Sequence, residues 1–258
     1  MAGRRRHRFL QVNINHCRAA QDLLVQTFAE WLMDVAVVAE PYSVPGSWLG
    51  DDNGSVALLT RSSTDSPPLS LLERGQGYVA AAWGDIALIG VYFSPNRPLA
   101  DFESFLEVLA RVADRVAQSW VLVVGDFNAK SVLWGSRTTD ARGREVETWS
   151  ISTGLSLLNR GSVQTCVRRQ GGSIVDLAFA SPSLAACVVD WRVELVETLS
   201  DHRYVRSRAP RRLVRVGPIS RAGRYPAWTA WLQRKRPLFR IGCRLQLTTG
   251  MWTPQRSN

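Results

Sequence analysis

Apolar positions along this chain follow two periods, and the pattern lays out an alternating series of strands and helices. Trp120–Val124 is an unbroken apolar run, rich in Val, followed by Gly125 and the polar group Asp126-Phe127-Asn128. Such a run reads as a strand buried on both faces, and Gly125 is expected to let the backbone leave the sheet where Asp126 and Asn128 begin. Asp34–Ala39 is a second buried strand, and Glu40-Pro41 ends it because proline cannot continue a ladder. Phe9–Asn15 alternates imperfectly and reads as a strand ending in two same-facing asparagines, Asn13 and Asn15. Val56–Thr60, Tyr78–Trp83 and Asp85–Tyr92 are further strands, the last two joined as a hairpin at Gly84-Asp85, with a Ser- and Pro-rich loop over 61–77.

The helical period appears in 19–33, where Leu24, Phe28, Trp31 and Leu32 share one face. It returns after Asp101, a candidate cap, in the stripe Phe102, Phe105, Leu106, Leu109, Ala113 and Val116. Lys130–Arg144 reads as a polar loop and 145–153 as a helix. Leu155–Leu158, Gln164–Arg168, Ile174–Ala180, Cys187–Val196 and Arg203–Arg208 are strand candidates, and Gln164–Ala180 has the pattern of a hairpin tipped by Arg168, Arg169, Gln170, Gly171 and Gly172. Intermingled strands and helices without a repeat indicate an α/β domain.

Composition changes this picture mainly at the ends. With 258 residues, 45% hydrophobic and 21% charged, the chain has material for one large core or two small ones. Its apolar runs are too short to span a bilayer, and the start, with Arg4, Arg5, Arg6 and Arg8, lacks the apolar stretch of a signal peptide, so an intracellular chain with no membrane partner is expected. Four scattered cysteines imply reduced, structural thiols. The net charge of +10 is uneven: no acid follows Asp201, 14 of the 32 Lys and Arg do, and the remainder has 18 basic against 22 acidic residues. The expected organisation is a basic leader over 1–8, a domain over 9–209 and a basic Arg- and Trp-rich tail or linker over 210–258 without an independent fold. Nearly all the basic residues are Arg, which suits bidentate phosphate contacts, although codon usage explains the bias equally well.

The candidate chemistry collects at strand ends. Asn13, Glu40, Tyr92, Asp126, Asn128, Asp176 and Ser200-Asp201-His202 all fall where a predicted strand begins or stops. Taken singly, each is equally a turn former, a surface acid or a core tyrosine. Their order and local sequences, strand-Asn-x-Asn, then Glu, Tyr with Pro-Asn, Gly-Asp-Phe-Asn, a late strand with Asp, and Ser-Asp-His, resemble the exonuclease III/apurinic-apyrimidinic endonuclease family over residues 8–208. Gly125–Lys130, Trp134-Gly135-Ser136, Tyr92–Asn96 and Asp176–Ser181 are most similar to the endonuclease domain of insect non-LTR (LINE-type) retrotransposons, particularly elements with a fixed target such as telomeric repeats or ribosomal genes.

That resemblance implies a four-layer α/β sandwich, two mixed β-sheets packed face to face and flanked by helices, with the site at one end. It implies a Mg²⁺-dependent endonuclease (Mn²⁺ a possible substitute) that nicks double-stranded DNA in the nucleus and leaves a 3′-hydroxyl to prime reverse transcription, the reverse transcriptase itself being absent from this chain. Hydrolysing a phosphodiester needs charge neutralisation, an oriented water and donors for developing negative charge. By resemblance Glu40 is the principal metal ligand, supported by Asn13 and assisted by Asp201. Asp126 aligns the water, Asn128 donates to the phosphate, His202 contacts it with its tautomer fixed by Asp176, and Tyr92 adds a phenolic donor. Arg168, Arg169 and Gln170 of the hairpin are the first candidates for reading DNA, with Asn96, Trp134 and Arg137 beside them. Two departures stand out: Phe93 occupies the usual tyrosine position two before the Pro, so either the strand bulges or the role is lost, and Asn15 replaces an Asp of repair enzymes. The rivals are an abasic-site repair endonuclease, a superfamily phosphodiesterase acting on lipid or inositol phosphates, and a nucleic-acid-binding protein without turnover.

Overall fold

The computed structural model describes residues 6–61, 66–117 and 120–211. Two strand-helix-strand units form its frame. In the first, β1 (Arg6–Asn13) leads through α1 (Arg18–Glu30) to a parallel neighbour, β2 (Val35–Ala39), followed by β3 (Leu49–Gly50) and β4 (Val56–Thr60). The edge strand β5 (Leu69–Gly75) and the hairpin of β6 (Tyr78–Trp83) and β7 (Ile86–Tyr92) follow. In the second unit, β7 crosses through α2 (Leu99–Arg115) to the parallel β8 (Trp120–Asp126). Then come α3 (Ala141–Thr153), β9 (Ser156–Leu157), the small hairpin β10 (Cys166–Arg168) and β11 (Gly171–Ser173), β12 (Asp176–Ala180), α4 (Pro182–Ala185), β13 (Val189–Val193) and β14 (Val205–Pro210). One six-stranded sheet runs β13-β14-β1-β2-β4-β3 and the other β5-β6-β7-β8-β12-β9, each with one parallel pair.

Alternation along the strands builds the layers. Phe9, Val35, Val37, Leu88, Leu122, Val124 and Ala178 point between the sheets and form one core cluster. The opposite faces of the same strands bury Leu10, Val12, Ala36 and Val38 under Leu24 and Phe28 of α1, and Ile89, Val91, Val121, Val123 and Phe179 under the α2 stripe and Trp149 of α3. Helix, sheet, sheet, helix is the four-layer α/β sandwich expected.

Several elements differ from the sequence reading, each for a local reason. β5 lies in the stretch read as loop, and as an edge strand it exposes Leu71 and Leu72, which hides its alternation. Helix α1 stops at Glu30, so Trp31 caps it and Leu32 turns into a left-handed conformation. Asp101 is in the first turn of α2 rather than at its cap, which is Pro98, and pairs with Arg97 at 3.0 Å. Gly125 does not release the strand: β8 continues to Asp126, and a Cβ at Gly125 would meet the Val91 carbonyl oxygen at 1.8 Å. Arg6, His7 and Arg8, read as leader, pair with β14, and β14 itself extends to Pro210. The remainder of the leader and residues 212–258 of the tail lie outside the described residues. Among the described residues, no helix is long and apolar enough to cross a membrane.

Candidate active site

The inward-facing positions that fill the core with Val and Leu turn polar at one edge. Parallel strands bring their carboxyl ends to that edge, and strands antiparallel to them bring their amino ends. Asn13 ends β1, Glu40 follows β2, Tyr92 ends β7 and Asp126 ends β8, while Asp176 begins β12 opposite Asp126, and His202 precedes β14. The site is thus where the layer between the sheets runs out of apolar side chains.

Two linked groups result. Glu40 accepts the Tyr92 hydroxyl at 2.6 Å on Oε1 and the Asn13 amide at 2.8 Å on Oε2. The Asn13 Nδ2 also donates to Asp126 Oδ2 at 3.0 Å, joining this group to the second. There, Asp176 Oδ2 lies 2.8 Å from His202 Nδ1, and His202 Nε2 lies 3.9 Å from Asp126 Oδ2. Asn128 closes the arrangement by donating its backbone N–H to Asp126 Oδ1 at 2.9 Å and its amide to Asp126 Oδ2 and the Phe93 carbonyl. Glu40 and Asn128 both hold positive φ, 46° and 47°, a conformation that costs energy in residues with a Cβ and clusters at functional sites.

Burial sets the electrostatics. Asp126 is 1% exposed, and its pKa is raised to about 7, first by loss of water and second by the charge of Asp176. Burial opposes the charged form of His202, but the Asp176 charge and hydrogen bond outweigh it and raise this pKa well above the ordinary value. The Tyr92 phenol is also pushed up, by burial and then by its bond to Glu40, so it remains a hydrogen-bond donor.

The donor set fits a hard divalent cation. Glu40, Asp126 and Asp176 bring three carboxylates together, with His202 against Asp176 and His16 Nε2 3.5 Å from Glu40, and ligand atoms of Asp126, Asp176 and His202 lie within 4.8 Å of one another. Asp176 Oδ1 is buried with no hydrogen-bond partner among the described residues. Oxygen donors with surplus negative charge suit Mg²⁺ or Mn²⁺, and Glu40, with its side chain about one-fifth exposed, is the carboxylate open to solvent.

A cleft of about 710 Å³ opens beside these groups. Asn128 reaches it from the site, Lys130, Arg137 and Arg142 line one wall, and Arg168 through Gly172 line the other. Arg168, Arg169, Gln170, Arg137 and Asn96 are exposed. Trp134 must be withdrawn as a DNA contact: it is 3% exposed, and its Nε1 donates to the Ala129 and Ile174 carbonyls inside the core. Asp201 is exposed and its carboxylate accepts from Arg168 at 3.1 Å, tying the hairpin to the His202 loop. Asn15 does not face the same way as Asn13, because the chain turns at φ 48° and its N–H caps the Asn13 side chain. Tyr92 reaches Glu40 without a bulge, since β7 and β8 stay in register to Asp126, and Phe93 instead packs into the core.

Three side chains support the site: Ser200, read from the sequence only as part of Ser-Asp-His, and Thr165 and Gln11, which escaped that reading. Ser200 donates to the Asn13 carbonyl at 2.8 Å and accepts the His202 N–H. Thr165 Oγ1 accepts the N–H groups of Val175 and Asp176. Gln11 donates across the sheets to the Gly125 carbonyl at 3.0 Å. Of the two that escaped, only Gln11 carried a signal, a polar residue at an inward position of a buried strand.

Fold and site together define the endonuclease/exonuclease/phosphatase architecture. Solved structures agree: an AP endonuclease from Archaeoglobus fulgidus superposes with a TM-score of 0.62 at 15% identity over 78% of this chain and 98% of that one, and the 3′ phosphatase NExo from Neisseria gives 0.62 at 17% over the same shares. More particularly, residues 86–206 match the family model described as Endonuclease-reverse transcriptase. The endonuclease domain of TRAS1, a telomere-specific non-LTR retrotransposon, is 27% identical with a TM-score of 0.68, covering 79% of this chain and 98% of that domain. "Probable RNA-directed DNA polymerase from transposon BS" of Drosophila melanogaster is 29% identical over 114 residues, which are 42% of this chain and 12% of that relative. The chain is therefore similar to the endonuclease domain of a non-LTR retrotransposon, and spans about an eighth of that curated relative's length.

Proposed function

We infer that this chain is a magnesium-dependent endonuclease that nicks double-stranded DNA, leaving a 3′-hydroxyl from which a reverse transcriptase encoded elsewhere in a longer element primes synthesis in the nucleus. The observation that carries this reading is the convergence of the Asn13-Glu40-Tyr92 and Asp126-His202-Asp176 groups at one sheet edge, beside a basic cleft. A divalent ion held by Glu40 would offset phosphate charge and polarise the scissile bond. Asp126, with a pKa near neutrality, accepts the proton of the attacking water. Asp176 holds a proton on His202 Nδ1 and keeps the ring cationic, so that Nε2 donates to a phosphate oxygen. The Tyr92 hydroxyl and Asn128 amide orient Glu40 and Asp126 until substrate arrives.

Lys130 meets the phosphate backbone, Arg168 and Arg169 reach for a groove with Arg137 as the rival reader, and the basic segment after Arg211 adds affinity blind to sequence. Truncation after Arg211 should flatten the slope of log affinity against log salt. The deciding experiment is nicking of supercoiled plasmid with Mg²⁺, run beside an abasic oligonucleotide and phospholipid. Plasmid nicks that a polymerase extends support the reading; exclusive cleavage of the abasic strand or of lipid replaces it with the corresponding rival.

A further inference from the structure

Asp51 lies outside the catalytic groups, in the turn between β3 and β4, yet it is 6% exposed and accepts four hydrogen bonds. Its Oδ1 takes the N–H groups of Ser55 at 2.7 Å and Val56 at 3.2 Å. Its Oδ2 takes the Ser55 hydroxyl at 2.7 Å and, from the other sheet, the Gly77 N–H at 2.8 Å. Both residues so held touch the site through their backbones. The Ser55 carbonyl accepts the Glu40 N–H at 2.8 Å, and the Gly77 carbonyl accepts the Tyr92 N–H at 2.9 Å. Gly77 needs its glycine for this approach: φ is +82°, and a Cβ there would meet the Tyr92 carbonyl oxygen at 2.6 Å.

From these bonds we propose that Asp51 is a positioning residue that sets the distance between Glu40 and Tyr92, and hence the posture of the carboxylate offered to the metal. The proposal rests on the nuclease reading of Glu40. The two residues belong to different sheets, and their own side-chain bond of 2.6 Å is a tip-to-tip contact that a small slide of one sheet over the other would open. Asp51 clasps the two turns from which their backbones hang, at the same end of the sandwich. Carboxylate geometry is required, because each oxygen accepts two donors. An asparagine turned either way replaces one acceptor with an NH₂ group facing N–H or O–H, and so releases either the turn or the sheet-to-sheet link. Displacement of a catalytic group by about an ångström costs about 100-fold in rate.

The test compares Asp51→Asn with the parent chain by amide hydrogen exchange, Mn²⁺ binding by calorimetry, and nicking. Exchange at the Glu40 and Tyr92 amides should quicken at least tenfold while amides of α2 keep their protection. The half-saturating Mn²⁺ concentration should rise at least fivefold. Loss of folded protein alone would lower the number of sites without moving either quantity. If Asp51→Asn does not fold, Ser55→Ala, which removes one of the four bonds, should shift the Glu40 amide and Mn²⁺ binding in the same direction by at least twofold. Unchanged exchange at both amides, or unchanged Mn²⁺ affinity in a folded variant, overturns the proposal. A parent chain that neither binds Mn²⁺ nor nicks DNA would sink the nuclease reading instead, and the exchange data would still judge the clasp.

Discussion

Asp34 and Asp126 are buried aspartates at opposite ends of the sandwich, and their surroundings could hardly differ more. Asp34 precedes β2 and is fully served: Oδ2 accepts the Arg8 N–H at 2.8 Å, and Oδ1 accepts the Arg61 guanidinium at 2.9 Å. Asp126 ends β8 and has amide donors but, among the described residues, no lysine or arginine in a salt bridge; a second acid lies across the strand, His202 is 3.9 Å away, and Arg142 acts on it only through the longer-range field. A buried charge given a close partner holds a fold together, whereas one crowded by another acid stores electrostatic tension that a metal, a proton or a phosphate can relieve. The same backbone device, an acid at a strand end, serves as a joint at one end and, on the proposed function, as a reagent at the other.

The sharpest way to break the comparison is to remove each acid. Asp126→Ala should lower nicking by more than about 1,000-fold, because it takes away a group acting in the transition state, while leaving urea stability unchanged or higher. A folded variant with full activity would remove the mechanism. Asp34→Ala should behave in the opposite way, costing about 3 kcal/mol in urea denaturation by stranding Arg61 and the Arg8 N–H, with nicking per folded molecule kept within about twofold.

Next in size is a change of target rather than of rate. Replacing Arg168 through Gly172 with a short neutral turn should move nick positions on end-labelled DNA while the overall rate changes less than about threefold, since backbone contacts position and groove contacts specify. An unaltered pattern, with an altered one on replacing the loop that carries Arg137, would transfer the reading role to that loop.

The smallest effect lies at the Asp34 end. His7 is buried and its ring lies 4.5 Å from that of Trp83; burial holds its pKa below the ordinary 6.5 despite the pull of Asp34. The unfolded chain therefore binds more protons there, so this contribution to stability is present above pH 6.5 and is lost as the pH falls through it. His7→Phe should lose less urea stability than the parent between about pH 7.5 and pH 5.5. Equal losses would remove burial of a neutral ring as the cause.

What could be read from the sequence follows from what each signal depends on. The buried strands β2, β4, β6 and β8 were visible because continuous Val, Ala and Leu leave few alternatives, and Glu40-Pro41 marked an end without reference to anything distant. β3, a two-residue strand, and the exposed edge strand β5 carry no comparable pattern. Trp134 was misread because a tryptophan in a polar loop looks free until a turn of 3₁₀-helix directs it into the core. The site residues were legible as a set of strand ends, but their pairings were not. The Asn13 to Asp126 bond depends on how two sheets stack, and Ser200, Thr165 and Asp51 act through backbone groups that no local pattern pairs with them.

The position of β14 has a consequence for how the protein is made. This strand fits between β13 and β1, pairing Arg206 with Leu10 and Pro210 with Arg6, and His202 stands just before it. Contacts between such distant parts of the chain are slow to form, because a long loop must close before any bond rewards it. A growing polypeptide can assemble β5 to β8 with α2 early, but β1 keeps an open flank and the histidine is missing until almost all of the described chain has left the ribosome. On the proposed function, catalytic competence therefore waits for β14, and a product terminated before it would lack the His202 needed to cut DNA.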